Sequence, residues 1–170
     1  MLYEWALKAY GTYNTGFVGV TEASRPLLSW WDSRLRRDCL DDLDGFEWID
    51  QKIIDLAPGY FDVGLFKDPA YNVGWWNLEE RPLRHDDGVW SVRDTPLVLM
   101  HYSGVRPGAD RGDLPRLVHS AGNSVVRDER QMAAIRELEQ GYVDDLMTAG
   151  HARYATLPYR FATTPGDHAV

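Results

Sequence analysis

A histidine at the end of an apolar run is the first feature of this sequence with chemical potential. Residues 97–102 read Leu-Val-Leu-Met-His-Tyr, and Ser103-Gly104 follow. Ligands of open α/β sheets bind beyond the carboxyl ends of the strands. A neutral imidazole at His101 could bind a metal through a ring nitrogen. Gly104 would let a backbone approach a phosphate closely, and Arg106 carries a fork of donors suited to pyrophosphate oxygens. The plain alternative is a hydrogen-bonded histidine at a strand end followed by a turn.

Other constellations stand apart along the chain. Asp50-Gln51 lies in Trp-Ile-Asp-Gln-Lys-Ile-Ile-Asp. A carboxylate and an amide side by side can fix sugar hydroxyls, or they are the polar face of an amphipathic helix. Tyr13-Asn14-Thr15-Gly16 could hold hydroxyls at a strand edge, or serve only as turn chemistry. Tyr71-Asn72 and Trp75-Trp76-Asn77 form an aromatic–amide cluster that could stack on and bond an acceptor, or could be a packed loop with capped backbone groups. Asp42-Leu43-Asp44 formally matches Asp-x-Asp, whose carboxylates can hold a hard divalent cation. It follows a helix end and precedes Gly45, which favours a solvated turn, and Asp86-Asp87 reads the same way. A Gly-rich phosphate loop, H-E-x-x-H, paired zinc cysteines and G-x-S-x-G are all absent. Cys39 falls on an apolar helical face, which suits a buried, inert thiol better than a nucleophile.

The elements that must carry these residues follow from periodicity. Residues 2–9 predict a short helix stopped by Gly11. Tyr13 to Val20 predicts a short buried strand interrupted by glycines, which mark bulges or close approaches. Ser24 is placed to cap a helix with Pro26 in its first turn, and Leu28, Trp31, Leu35 and Cys39 form its apolar face. Trp48 to Leu56 predicts a second helix closed by Pro58-Gly59, and Val63 to Phe66 a weak strand. Residues 67–83 look irregular, His85-Asp86-Asp87-Gly88 is a turn, and 97–102 is a continuous apolar strand of the buried kind. The loop after Gly104 runs through Pro107, Gly108, Gly112 and Pro115. The clearest helix spans about 128–149, with Met132, Ile135, Leu138, Tyr142, Leu146 and Ala149 as its stripe and Gly150 as C′ glycine. These elements imply an α/β class with a small mixed sheet covered by helices. They form one domain over 1–161 and a frayed tail over 162–170.

Composition bounds the function. With 170 residues, 44% hydrophobic and 26% charged, the chain fits a single globular domain. A net charge of −8 disfavours nucleic acid, which is bound through Lys and Arg contacts to phosphates. One cysteine allows no internal disulfide, the first residues lack a signal-peptide pattern, and no apolar stretch has the length of a membrane span. The expectation is a cytoplasmic protein. Seven Trp and nine Tyr offer flat amphipathic faces suited to sugar C–H groups, or simply a Trp-rich core.

Taken in order, these pieces resemble the second half of GT-A-fold, nucleotide-sugar-dependent glycosyltransferases, especially the glycogenin-like and bacterial galactosyltransferase-like group. Tyr13-Asn14-Thr15-Gly16-Phe17-Val18 resembles that group's (F/Y)-N-(A/S/T)-G-(V/F) strand. Asp50-Gln51 resembles its D-Q pair, Tyr71-Asn72 its Y-N or F-N, and His101-Tyr102-Ser103-Gly104 its H-(F/Y)-x-G. Residues 13–104, with their Trp-Trp helix, Trp-x-Asp-Gln helix and Tyr-Asn-Val and Trp-Asn-Leu segments, also resemble bacterial glycosyltransferases, as does Leu-Pro-Tyr-x-Phe at 157–161.

The resemblance implies a partial GT-A-like fold and transfer of a sugar from a nucleotide-sugar donor to an acceptor hydroxyl, in polysaccharide or glycoconjugate synthesis. By it, His101 is a ligand of a divalent metal, Mn2+ or Mg2+, which neutralises charge on the departing diphosphate. Gly104 and Arg106 lie near that diphosphate. Asn14, Gly16, Asn72 and Trp76 contact substrate, and Asp50 and Gln51 line the reacting sugar and acceptor. The chain departs from the group at Pro107, where the group has Lys. Only 12 residues precede Tyr13, whereas in the group a nucleotide-binding half with a metal-binding Asp-x-Asp comes first. A truncated chain with a missing N-terminal half is therefore expected. The alternative is a non-catalytic remnant that binds carbohydrate or a partner; a small Asp/His hydrolase has only its residue inventory behind it.

Overall fold

The computed structural model describes residues 11–38, 41–42, 47–108 and 128–158, together with Glu4 and Leu7. Most of the expected first helix, Cys39, Leu43-Asp44 of the Asp-x-Asp triplet, Gly112 to Pro115, Phe161 and the tail lie outside the described residues. Gly11 does what a stop glycine should: its φ is +97°, and its N–H donates to the Leu7 carbonyl at 3.0 Å.

A 3₁₀ turn, Glu22–Ser24, leads into helix α1, Arg25–Asp38. Ser24 stands directly before α1, but its hydroxyl accepts from the Thr21 N–H at 3.1 Å, stabilising the entry turn. A two-residue ladder follows, with β1, Asp41–Asp42, antiparallel to β2, Glu47–Trp48. Helix α2 is Ile49–Ile54. Pro58-Gly59 does not simply close it, because both residues belong to a separate helical turn, α3, Ala57–Tyr60. The Trp30 ring of α1 meets Tyr60 and Phe61 at centroid distances of 5.8 and 5.5 Å.

The central sheet is antiparallel and three-stranded, in the order β3, Leu83–Asp86, β4, Val89–Val92, and β5, Thr95–Pro96. Asp87 and Gly88 join β3 to β4 with φ of +49° and +78°. That is the twist a two-residue hairpin needs, and Asp-Gly supplies it cheaply. Helix α4, Glu129–Thr148, packs against β3 of this sheet and leads into the short α5, His151–Tyr154. Asp128 caps α4 by accepting from Arg130 N at 2.8 Å, and Gly150 turns the chain with φ +97°.

Several expected strands do not form. Tyr13 to Val20 is irregular, and Phe17, Val18 and Val20 are exposed. Side chains take the place of a ladder there: the Asp55 carboxylate accepts from Thr12 N and Tyr13 N at 2.8 and 3.1 Å, and Asn14 folds back on Gly16 N at 2.8 Å. Val63 to Phe66 has no pairing among the described residues, and Leu65 and Phe66 are exposed. Residues 97–102 are extended without being a continuous buried strand. Leu97 N donates to Trp90 O, Val98 N and Leu99 N donate to Ala70 O, and one parallel bridge joins Val73 to Met100. The partner of this run is a turn-rich segment, which cannot offer a regular row of carbonyls.

The core gathers Val73, Leu78, Leu83, Val92, Met132 and Ile135, with Leu97, Met100, Tyr102, Val105, Ala134 and Leu138 packed around it. The α4 stripe thus meets the hairpin and the 97–105 run. Tyr102 stacks on Tyr142 at 3.9 Å, and burial pushes its phenol up to about 12. His85 stacks on Trp90 at 4.2 Å and reaches Glu137 with Nδ1 at 2.7 Å, tying the hairpin to α4 a second time.

Ile135 is fully buried at the centre of this contact. Ile135→Ala is expected to cost about 2–5 kcal/mol through lost burial and a cavity, measured by urea unfolding. A loss below about 0.5 kcal/mol, within the range of surface substitutions, would contradict the packing.

Candidate functional site

Three polar residues that the sequence scatters over 13–104, Asn14, Asn72 and His101, form one hydrogen-bonded chain that starts from a backbone amide. The backbone N–H of Gly16 can only donate, and it donates to Asn14 Oδ1 at 2.8 Å. That oxygen also accepts from Asn72 Nδ2 at 2.7 Å. The Asn72 amide is thereby oriented, and its Oδ1 faces His101 Nδ1 at 3.1 Å. An amide oxygen can only accept, so neutral His101 carries its proton on Nδ1 and keeps a lone pair on Nε2. Burial holds the imidazole below the ordinary histidine range, which favours the neutral form. Among the described residues Nε2 has no hydrogen-bond partner, and a neutral ring with one nitrogen engaged and the other open is the state in which histidine binds a metal or accepts a proton.

Backbone geometry sets this arrangement. Asn72 has φ +51°, a left-handed conformation that asparagine tolerates better than most residues. Asn77 closes the turn around it: Asn77 Oδ1 accepts from Gly74 N, and Asn77 Nδ2 donates to the Asn72 carbonyl, each at 3.0 Å. The half-buried Arg81 donates to Tyr71 O at 2.7 Å, and burial lowers its pKa from the ordinary arginine value. Trp76 folds over Gly74, where a Cβ would strike its ring, and meets the His101 ring edge-on at 4.9 Å. Gly16 is equally constrained, because a Cβ there would collide with His101 Nδ1, Asn72 Oδ1 and Asn14 Oδ1.

Asp50 joins through Thr15. Its Oδ2 accepts from Thr15 Oγ1 at 2.7 Å, and its backbone carbonyl accepts from Trp31 Nε1 at 3.3 Å. Gln51 follows on α2, half-buried, with its backbone pressed against Gly11. Asn14, Gly16, Asn72, Trp76 and His101 are therefore in direct contact, and Asp50 is tethered to them through Thr15. Gly104 lies in a turn with φ +80°, and Arg106 is exposed. Among the described residues neither hydrogen-bonds to this chain. Asp86 and Asp87 belong to the β3–β4 hairpin and its turn.

Sequence reasoning passed over some members. Thr15 lay inside the Tyr-Asn-Thr-Gly segment, but nothing pointed its hydroxyl at Asp50. Asp55 lies five residues after Asp50, and its task on the Thr12 and Tyr13 amides has no sequence signal. Asn77 resolves one open choice: its amide is engaged with backbone, so Asn77 caps the loop and does not face an acceptor. An aromatic wall of Phe17, Phe66 and Tyr71 adjoins, with rings 4.8 to 5.6 Å apart.

As to a metal, His101 fits one corner of a coordination sphere. No group of three His, Cys, Asp or Glu gathers to hold an ion among the described residues. These residues by themselves do not complete a metal site. No described helix is long and apolar enough to cross a membrane.

Among curated proteins, the chain is 30% identical over 101 residues to the uncharacterized protein YfnD of Bacillus subtilis (strain 168). The match covers 55% of this chain and 32% of YfnD, so the chain spans about a third of that relative's length. No protein-family model matches the chain, and no solved structure does.

Two outcomes follow from the geometry. In an NMR titration His101 is expected to titrate below the ordinary value of about 6.5. As pH falls, the unfolded chain then takes up this proton first. The stability linked to His101 is full above the unfolded value and declines to nothing below the folded one. A His101 pKa at or above about 6.5 would overturn the assigned environment. Gly16→Ala is expected to destabilise by about 1–3 kcal/mol through overpacking, read by urea unfolding; a neutral effect would show the contact to be loose.

Proposed function

We propose that this chain is the C-terminal part of a GT-A-like glycosyltransferase catalytic domain, transferring a sugar from a nucleotide-sugar donor to an acceptor hydroxyl. One observation carries the reading. Asn14-Gly16, Asn72 and His101, from three segments far apart in sequence, join in a single hydrogen-bonded chain beside Trp76. Core packing alone does not call for such a polar chain.

In this reading the residues divide the work. His101 offers its bare Nε2 to a divalent metal, Mn2+ or Mg2+, whose remaining ligands come from outside the described residues. When bound, such an ion neutralises charge on a departing diphosphate. Asn72 orients the ring, as an outer hydrogen-bond partner does for a ligating histidine. Asp50, held by Thr15, accepts from sugar hydroxyls, and Gln51 both donates and accepts. Trp76 supplies an aromatic face. Gly104 leaves room for the diphosphate, and the exposed Arg106 donates to it. Acceptor and donor recognition are then completed by sequence beyond this segment.

A second reading has its own observation. Phe17, Val18, Val20, Leu65 and Phe66 are all exposed, and Phe17 and Phe66 touch. A patch of this kind marks an interaction surface. In this reading the chain binds carbohydrate or a partner without turnover.

The deciding assay uses the protein isolated from its source cells at whatever length it has there. Release of nucleoside diphosphate from nucleotide sugars is followed with Mn2+ or Mg2+ and with chelator. Activity that needs the metal and falls at least roughly tenfold to a hundredfold in His101→Ala, the range for losing even an outer partner of a ligand, supports the first reading. Carbohydrate binding without nucleotide-sugar turnover would replace it with the second.

A further inference from the structure

The turn after Asn72 is closed by Asn77. Its two hydrogen bonds admit a single amide orientation. The Gly74 N–H must meet an oxygen, and the Asn72 carbonyl must meet an N–H. Asn77 N also donates to Gly74 O at 3.0 Å, closing the turn on itself. On its other flank the segment is held by Val73 N to Leu99 O at 3.0 Å and His101 N to Val73 O at 2.7 Å. Asn72 is thus held from both sides in its left-handed conformation (φ +51°), the backbone position from which its amide reaches Asn14 and His101.

We propose that Asn77 is a positioning residue that determines which nitrogen of His101 is left bare, acting through the backbone of Asn72. With the clamp in place, Asn72 Oδ1 claims the proton of His101 Nδ1 and Nε2 stays open to a ligand. Without it, Asn72 relaxes from the left-handed region, its amide no longer reaches both partners, and the imidazole loses the acceptor that selects its tautomer. Removing only the donor is enough. Asn77→Asp keeps an acceptor for Gly74 N but sets a carboxylate oxygen against the Asn72 carbonyl, where two acceptors repel. This inference rests on the reading of His101 as a ligand-binding group, but its test needs neither substrate nor turnover.

The test is two-bond 1H–15N correlation on the full chain labelled with 15N in its histidine rings, at a pH where the rings are neutral. The His101 signals are identified by their loss in His101→Gln. The unaltered chain is expected to show His101 in the Nδ1–H form. Asn77→Ala and Asn77→Asp are expected to lose that dominance in favour of Nε2–H, the form an unconstrained imidazole prefers, while the other histidine signals stay in place. An unaltered chain with His101 as Nε2–H, or a folded Asn77→Asp chain with His101 still as Nδ1–H, overturns the proposal. If neither variant folds, the unaltered chain decides through the Asn77 side-chain amide. A proton protected from exchange supports the clamp, and a freely exchanging one overturns it. Failure of the transferase reading appears separately, as activity indifferent to His101→Ala.

Discussion

Two backbone hydrogen bonds, Val73 N to Leu99 O and His101 N to Val73 O, hold the molecule's polar and apolar halves in register. Along the extended run 100–102, neighbouring side chains face opposite ways. Val73 is fully buried in the core, and Asn72 beside it reaches the polar chain. Across the bridge, Tyr102 stacks on α4 while His101 meets Asn72. A slip of one residue along the 100–102 run would turn His101 toward the core and part it from Asn72. The apolar packing of Val73, Met100 and Tyr102 against α4 therefore also aims the polar residues. A short bridge suffices because hydrophobic burial sets the register and the hydrogen bonds refine it.

The polar chain has a direct electrostatic logic. Its first donor is a backbone amide, which has no alternative state, and each later group is an amide or imidazole that could be turned around. Fixing the first fixes the rest, so the orientation passes from Gly16 through Asn14 and Asn72 to His101. Charge is absent from this line. Asp50 and Asp55 are adjacent but engage Thr15 and the amides of Thr12 and Tyr13. Ordinary neutral hydrogen bonds thus orient an imidazole without raising its affinity for a proton.

Much of the helical structure could be read in the sequence, because helix signals are local. The 128–149 stripe with its glycine stop, the helix after Ser24, and the helix around Asp50 appear where the spacing places them, although Ser24 holds the entry turn and does not cap the helix. The strands did not follow. Phe17-Val18 and Leu65-Phe66 are apolar enough for a sheet but remain exposed, since strand formation depends on a partner no local pattern supplies. The β3–β4 hairpin was half visible as an Asp-Gly turn, and its flanks, with exposed Arg84, His85 and Asp86, lacked clean alternation. The site residues were readable by type and order along the chain. Their connection was not, because the links through Thr15, Asn77 and Asp55 depend on three-dimensional contacts of residues that look like ordinary loop and helix polar groups.

The distances along the chain between site partners carry a kinetic meaning. Asn14 and Asn72 are 58 residues apart, Asn72 and His101 are 29, and Thr15 and Asp50 are 35. The β3–β4 hairpin and the 20-residue α4 close over neighbouring residues. Contacts of long sequence separation carry a loop-closure entropy that local ones do not, and topologies built from them assemble more slowly. The core is no more local, because packing Val73 and Leu83 against Ile135 closes loops of similar length. Scaffold and polar chain therefore carry the same kind of closure cost, and the local hairpin and helix are the parts that escape it.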